Sequence, residues 1–196
     1  MAIYRSELLK SSGNYFHIYN RGVDRQPVFF HDEDYRLFLD LMKTFLRPSE
    51  LDLLTFTMMP NHFHLVLRQH DPYAISRYIK AVCERYVKFI NRQRNRCGHL
   101  FQSKYKLSHI DREEYLLYLS RYIHLNPVAA KLVKRPEDWE FGSCTLFRDD
   151  SASEFLASEA ILTQAGGIEA YWRYLHADEP GCSDKLERYL IDRQLL

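Results

Sequence analysis

Four short stretches with β-type alternation, three helical repeats set between and after them, and a two-residue turn joining the middle strands predict an α+β fold. The order β-α-β-β-α-β-α makes it a ferredoxin-like split βαβ: a central antiparallel sheet with helices on one face, followed by a helical C-terminal appendage. "NYFHIYN" (14–20) alternates and is rich in β-formers, and Gly22 and Pro27 punctuate the loop after it. Asp32 is placed to cap a helix in which Tyr35, Phe38, Leu41, Met42 and Phe45 recur at helical spacing up to Pro48. "LDLLTFTMM" and "HFHLVLRQ" flank Pro60 and Asn61, which makes them a hairpin. After Asp71 and Pro72, a long helix carries Ile75, Tyr78, Ile79, Val82, Tyr86, Phe89 and Ile90 on its apolar stripe and Arg77, Lys80, Glu84 and Lys88 on its other face. "KYKLSHI" is a short fourth strand, and Asp111 with Glu114 makes a capping-box-like start to the helix "DREEYLLYLSRYIHLN".

A chain of 196 residues with 46% hydrophobic content buries one substantial core, which suits one domain (1–147) and an acidic helical appendage (148–196) whose periodicity is clearest in "IEAYWRYL". No stretch approaches the roughly 18 uninterrupted apolar residues of a membrane span, and "MAIYRSELLK" lacks the apolar core of a secretory signal, so a cytoplasmic protein is expected. Cys83, Cys97, Cys144 and Cys182 have neither metal-site nor disulfide-scaffold spacing and read as structural thiols. The net charge of +1 conceals segregation. From Arg77 to Lys106 there are nine Lys or Arg against one acid, Glu84, whereas from Glu137 onward thirteen acids face five bases. A basic middle of this kind is either a solvated helix face or a polyanion-binding surface.

Two constellations carry chemistry. In "MMPNHFHLVL" the strand period of two turns His62, His64 and Val66 to one side and Phe63, Leu65 and Leu67 to the other. Two imidazoles on one face are either solvent-facing filler or two ligands of a divalent metal that needs a third. On the last helix, Tyr122 and Asn126 lie one turn apart on a face shared with Tyr115 and Leu119. A tyrosine with its ordinary pKa of about 10 is a poor nucleophile, unless a metal offsets the charge that develops on the phosphate it attacks. Asn126 offers that metal a neutral oxygen, and because Pro127 follows it, it belongs in the final turn or just beyond.

Together these segments resemble a known family. "MPNHFHLVL" resembles the metal motif of HUH-type single-tyrosine transposases, and "RYIHLNPVAAKLV" the tyrosine helix of their REP-associated branch. "YNRGVDRQPVF" and "GHLFQSKYK" also match that branch, and the likeness runs in family order from about Tyr15 to Trp139. The resemblance implies that His62 and His64 bind the metal, that Asn126 is the additional ligand and that Tyr122 is the nucleophile. The family has a basic residue near position 129 where this chain has Ala129, which removes one phosphate contact and leaves the catalytic set intact. Under this reading Arg21, Lys88, Arg92, Arg94 and Arg96 meet phosphates, and Phe101 and Tyr105, among Gln102, Lys104 and Lys106, offer faces to unpaired bases.

The resemblance thus implies a Mg²⁺- or Mn²⁺-dependent transesterification on single-stranded DNA bearing REP-like hairpins, through a 5′-phosphotyrosine, by a monomer or homodimer. Two rivals stand beside it: a non-catalytic or domesticated nucleic-acid-binding protein, and a hydrolytic metalloenzyme in which Tyr122 is merely structural.

Overall fold

A computed structural model of the protein describes residues 7, 9–112, 114–148 and 155–178. Its main elements are β1 (Tyr15–Arg21), α1 (Asp32–Leu46), β2 (Leu51–Met59), β3 (His62–Gln69), α2 (Ala74–Gln93), β4 (Lys106–Ile110) and α3 (Glu114–Ala129), then α4 (Glu159–Ala165) and α5 (Ile168–His176). The strands form one antiparallel sheet in the order β2-β3-β1-β4, so β3 is central and both its neighbours fix its register. No described helix is long and apolar enough to cross a membrane.

Alternation gives the sheet two unlike faces. Phe16 and Ile18 of β1 and Phe63, Leu65 and Leu67 of β3 are buried on one of them. There α1 and α2 meet the sheet and each other, with Phe38 5.2 Å from Phe63 and 5.0 Å from Tyr86, ring centre to ring centre. The buried tyrosines of α2 keep their hydroxyls satisfied: Tyr86 donates to the Val28 carbonyl at 2.6 Å and Tyr78 to that of Met42 at 3.3 Å. The opposite face carries His17, Tyr19, Arg21, His62 and His64. The expectation of helices on one face holds for α1 and α2, whereas α3 crosses to cover the polar face. It does so because its own apolar and polar groups, Leu119, Ile123 and His124 among them, are buried against β2 and the C-terminal helices.

Several local expectations shift. Asp32 is the first residue of α1 and His31 is its N-cap. Asp34, at the third helical position, reaches back to accept the N–H groups of His31 (3.1 Å) and Phe30 (2.8 Å), the reciprocal half of a capping box. Phe89, placed on the apolar stripe of α2, is 48% exposed, because the stripe closes on Tyr86 and Ile90 instead. The helix α3 runs on through Pro127 to Ala129, which leaves Asn126 in its final turn. A proline there removes only the one donor that Ile123 would have received. The expected capping box of α3 depends on the side chain of Glu114, which lies outside the described residues. Cys83, Cys97 and Cys144 are free thiols, and Cys182 lies outside the described residues.

Beyond α3 the chain returns along the outer edge of β2, where Met58 N–H donates to Phe141 and Ser143 N–H to Phe56. Gly142 sits so close to Thr57 that even its added Cβ would meet the hydroxyl at 3.4 Å. This covers an edge strand that would otherwise offer unpaired backbone groups. Of the segment expected as an appendage, Leu156, Ile161, Tyr171, Trp172 and Leu175 are buried in the same cluster as the sheet residues.

A fully buried polar network joins the two parts. Ser120 donates to the Leu117 carbonyl and therefore accepts from Tyr171 (3.2 Å). The Tyr171 oxygen then accepts Nδ1–H of His124 at 2.7 Å. The other nitrogen of His124 faces Thr55 Oγ1 at 3.0 Å and Ser143 Oγ at 2.9 Å, and Ser143 sends its own proton to the Phe56 carbonyl. With Thr55 donating to Nε2, every proton of the network has an acceptor around a neutral imidazole, and burial pushes His124 down to about 3. Tyr171→Phe leaves His124 Nδ1–H unpaired in the core, so we expect a loss of about 1–3 kcal/mol in denaturant unfolding; an unchanged midpoint would show that the network carries no stability. The pH dependence has a definite sign. An unfolded His124 takes up a proton below its ordinary 6.5, while the folded one resists until about 3. Stability from this group is complete above that range and is lost as pH falls through it. The expected observation is a falling unfolding midpoint with acidification, with a shallower slope in His124→Gln; equal slopes would exclude His124 as the source.

Candidate active site

Register builds the site. Across β1 and β3, Tyr19 pairs with His64 and Arg21 with His62, while His17 stands one pair further along opposite Val66. Cross-strand partners share a face, so two residues from β1 and two from β3 form a polar patch in the middle of the sheet. The helix α3 closes over it: the Tyr122 ring stands edge-on to His64 with centres 5.8 Å apart, and Asn126 Oδ1 lies 3.3 Å from His62 Nε2. His62 and His64 have ring centres 5.0 Å apart. The structure thus brings together Tyr122, His62, His64 and Asn126, residues separated by up to 64 positions. The other tyrosines of α3 point elsewhere. Tyr118 packs on Tyr174 of α5, and Tyr115 lies beside the Arg112 guanidinium.

The hairpin turn explains the motif around the first histidine. The Pro60 carbonyl accepts from Val28 and Phe29, and the Asn61 carbonyl from Gly22, which docks the 22–29 loop on the turn. The Asn61 amide donates to the Arg25 carbonyl at 3.2 Å, leaving its oxygen for His62 Nδ1 at 2.6 Å. His62 therefore carries its proton on Nδ1 and presents the Nε2 lone pair toward Asn126 Oδ1. Two acceptors facing each other at 3.3 Å are repulsive unless a proton or a cation lies between them. Burial, with Arg21 adding to it, holds His62 below its ordinary range against the opposing pull of Asn126, so a proton is disfavoured. A divalent cation fits: neighbouring ligands of one ion at about 2.1 Å lie about 3 Å apart. His64 is held well below its ordinary range by burial and by the neighbouring His17 and His62, which keeps it neutral as a ligand must be. Among the described residues no three of His, Cys, Asp and Glu make a metal cage by themselves. The available set is two imidazoles and one amide oxygen.

Burial raises Tyr122 above its ordinary pKa, and its hydrogen bond with Asn126 works in the opposite direction. Only an N–H can stabilise a phenolate, so the Asn126 amide is divided between two tasks, nitrogen toward Tyr122 and oxygen toward His62. Tyr19 is also raised, chiefly by burial, and feels the Tyr122 charge, which places it near Tyr122.

Sequence reasoning missed His17, Tyr19 and Asn61. The signal for the first two was present in the alternation of "HIYNR", which puts them on one face with Arg21, but which strand lay beside β3 was not legible. Asn61 read only as a turn residue. The rim residues divide. Arg21 donates through Nε to Gln102 Oε1 at 2.6 Å, and Lys106 stands over the Tyr19 ring at 5.4 Å, so these three lie at the mouth of the patch. Gly22 is needed by the turn that follows β1, because a Cβ there would meet the Gln26 carbonyl oxygen at 2.0 Å. Lys88, Arg92 and Lys104 are exposed and Arg96 is half-buried. Lys88 and Arg92 belong to α2, on the other face of the sheet from Tyr122. Two residues expected to contact nucleic acid are committed to the fold instead. Phe101 is 8% exposed and packs edge-on to Phe63, because the loop after α2 tucks under the end of β1. Arg94 lies 3.5 Å from the buried Asp34 carboxylate and 3.8 Å from the Phe30 ring centre. Tyr105 is half-buried with its hydroxyl 2.8 Å from Ser76 Oγ.

The sequence matches the family model described as transposase, IS200 like, over residues 10–126. Among solved structures the protein is similar to a REP-associated tyrosine transposase bound to a REP hairpin, with a TM-score of 0.61 and 16% identity over 77% of this chain and 87% of that one. A protein of Deinococcus radiodurans R1 assigned as a transposase gives a TM-score of 0.43 and 18% identity over 63% of this chain and 95% of that one. No curated protein matches the sequence. At such identity the REP-associated structure shows a shared fold, whereas the family model covers more than half of the chain and every residue of the patch from His17 to Asn126: the protein belongs to the IS200-like transposase family and is a DNA-processing enzyme.

Proposed function

We propose that the protein is a tyrosine nickase and strand transferase of the REP-associated kind, acting on single-stranded DNA at the foot of hairpins. The observation that carries this reading is the meeting of Tyr122 with His62, His64 and Asn126 beneath one helix. His62, His64 and Asn126 would hold the metal, and the amide oxygen favours Mg²⁺ or Mn²⁺. When bound, the ion offsets charge on the scissile phosphate and on the departing oxygen.

The chain's own residues supply the rest. Asn126 turns its N–H toward the Tyr122 oxygen and so counters the burial that would keep the phenol protonated. The Tyr122 oxygen attacks phosphorus and the P–O3′ bond breaks. The phenol gives up its proton and the 3′-oxygen gains one, which leaves a 5′-phosphotyrosine and a free 3′-OH. The phosphodiester energy stays in the tyrosyl ester, so attack by another DNA 3′-OH restores the strand without ATP. Arg21, Gln102 and Lys106 at the mouth, with Lys104 nearby, meet the strand next to the cleaved bond. Lys88, Arg92 and Arg96, on and just after α2, would meet a more distant part of the substrate, because α2 occupies the other layer. Residues 155–178 serve as a brace for the tyrosine helix, a role supported by the bond from Arg121 to the Tyr174 carbonyl at 3.0 Å.

Incubation with labelled hairpin oligonucleotides and Mn²⁺, followed by denaturing electrophoresis, tests the reading. A covalent protein–DNA band is expected from the unaltered protein, from Tyr115→Phe and from Tyr118→Phe, and none from Tyr122→Phe. A band that survives Tyr122→Phe refutes the assigned nucleophile, and complete absence of adduct in every form favours a non-catalytic DNA-binding protein. His62→Ala and His64→Ala should each stop nicking yet leave hairpin binding nearly unchanged; joint loss of binding and folding would make the histidines structural. Replacing Lys88 and Arg92 by Ala should lower the slope of log K against log salt by roughly one unit per lost phosphate contact, equally for all sequences. An unchanged slope would confine DNA to the Tyr122 face.

A further inference from the structure

His17 is a histidine for which the proposed chemistry has no direct use, yet it is 1% exposed at the centre of the sheet. Its Nε2 lies 2.9 Å from Nδ1 of His64, and the two rings lie edge to edge and nearly coplanar, with centres 5.1 Å apart and an interplanar angle of 17°. The tie joins β1 to β3 across 47 positions of sequence. Two neutral imidazoles at this distance share one proton, and the side on which it sits decides what His64 can do. With the proton on His17 Nε2, His64 accepts through Nδ1 and must carry its own proton on Nε2, where it can bind no metal. With the proton on His64 Nδ1, His17 accepts and His64 Nε2 is left as a free lone pair.

We propose that His17 is a positioning residue whose Nε2 accepts Nδ1–H of His64 and so fixes the tautomer in which His64 Nε2 is available to a divalent cation. The inference rests on His64 being a ligand. The opposite end of His17 is consistent with it. In this state His17 bears its proton on Nδ1, a buried atom without a hydrogen-bond partner, and the residue opposite in the β1–β4 register is Ser108, whose hydroxyl is likewise buried and unpartnered. As the cross-strand partner on the same face, the Ser108 hydroxyl is the group placed to accept that proton. The row Ser108, His17, His64 would then pass one orientation from the edge strand to the metal ligand, the role that carboxylates or carbonyls play behind most metal-binding histidines. A neutral ring packed against Tyr19 and edge to edge with His64 does this without placing another charge beneath the site.

Two measurements test it. Long-range ¹H–¹⁵N spectra of the metal-free protein, labelled at histidine and recorded at neutral pH, should show His64 protonated at Nδ1 with Nε2 bare. A proton on His64 Nε2 overturns the proposal. Mn²⁺ titration by calorimetry reads the consequence: His17→Phe, which keeps a ring but cannot accept, should weaken binding roughly 10- to 100-fold, and His17→Gln, whose Oε1 reaches the Nε2 position, should restore most of it. Equal affinity in His17→Phe, or equal weakening by Phe and Gln at equal thermal stability, overturns it. Should His17→Phe fail to fold, the spectrum of the unaltered protein still decides. If His62→Ala and His64→Ala bind Mn²⁺ as tightly as the unaltered protein does, the ligand assignment fails, whatever the tautomer.

Discussion

The register of β3 between β1 and β2 is the constraint on which the site depends. A slip of one residue would turn Phe63, Leu65 and Leu67 toward α3 and bury His62 and His64 beneath α1 and α2, where no partner awaits them. The cost of losing the packing of three large apolar side chains against α1 and α2 and of burying two imidazoles without partners there keeps the register in place. The bulge at Leu54 adjusts it locally, so that Thr55 rather than Leu54 shares the polar face with His64 and meets His124. Stability and chemistry thus draw on one alternation: the apolar set of β3 holds the strand, and the set it leaves over makes the site.

A polar face in the middle of a sheet must be sealed, and the way it is sealed gives the site its properties. The helix α3 excludes water with Leu116, Leu119 and Ile123, all fully buried, and this same exclusion keeps His17, His62 and His64 neutral while making Tyr122 harder to ionise. The first effect suits metal ligation, and the second is a burden. In the proposed function Asn126 addresses both at once, donating to the phenol and leaving its oxygen for a cation. The helix must then be held at a fixed height over the sheet. That is achieved two residues away on either side, by His124 in its closed network with Tyr171, Thr55 and Ser143. The C-terminal helices are therefore part of the architecture of the site although none of their residues enters it.

Much of this was legible from the sequence because it follows from period. The four strands, the hairpin at Pro60–Asn61, the long helix and the shared face of His62 and His64 all follow from spacing alone. Tyr122 and Asn126 could be paired by their interval of four, an offset at which Tyr115 has Leu119 and Tyr118 has Tyr122 itself. What spacing could not reveal were relations across the chain. The helix α3 is apolar on several sides because it is packed between a sheet and two further helices, so its sequence shows no single stripe from which its layer could be read. Phe101 and Arg94 lie in an irregular stretch where period gives no information, and each is buried by a tertiary contact, with Phe63 and with Asp34 and Phe30. His17 was hidden for the same reason. Only the β1–β3 pairing reveals that a histidine in one strand meets His64 in another.

The central claim is that His62, His64 and Asn126 converge on one cation beneath the tyrosine helix. The most direct measurement is anomalous diffraction at the manganese edge from crystals grown with Mn²⁺. The account predicts one strong peak within coordination distance of His62 Nε2, His64 Nε2 and Asn126 Oδ1. A peak elsewhere on the protein, or a structure in which the Asn126 amide turns its nitrogen toward His62 and closes the pair with a simple hydrogen bond, would contradict it.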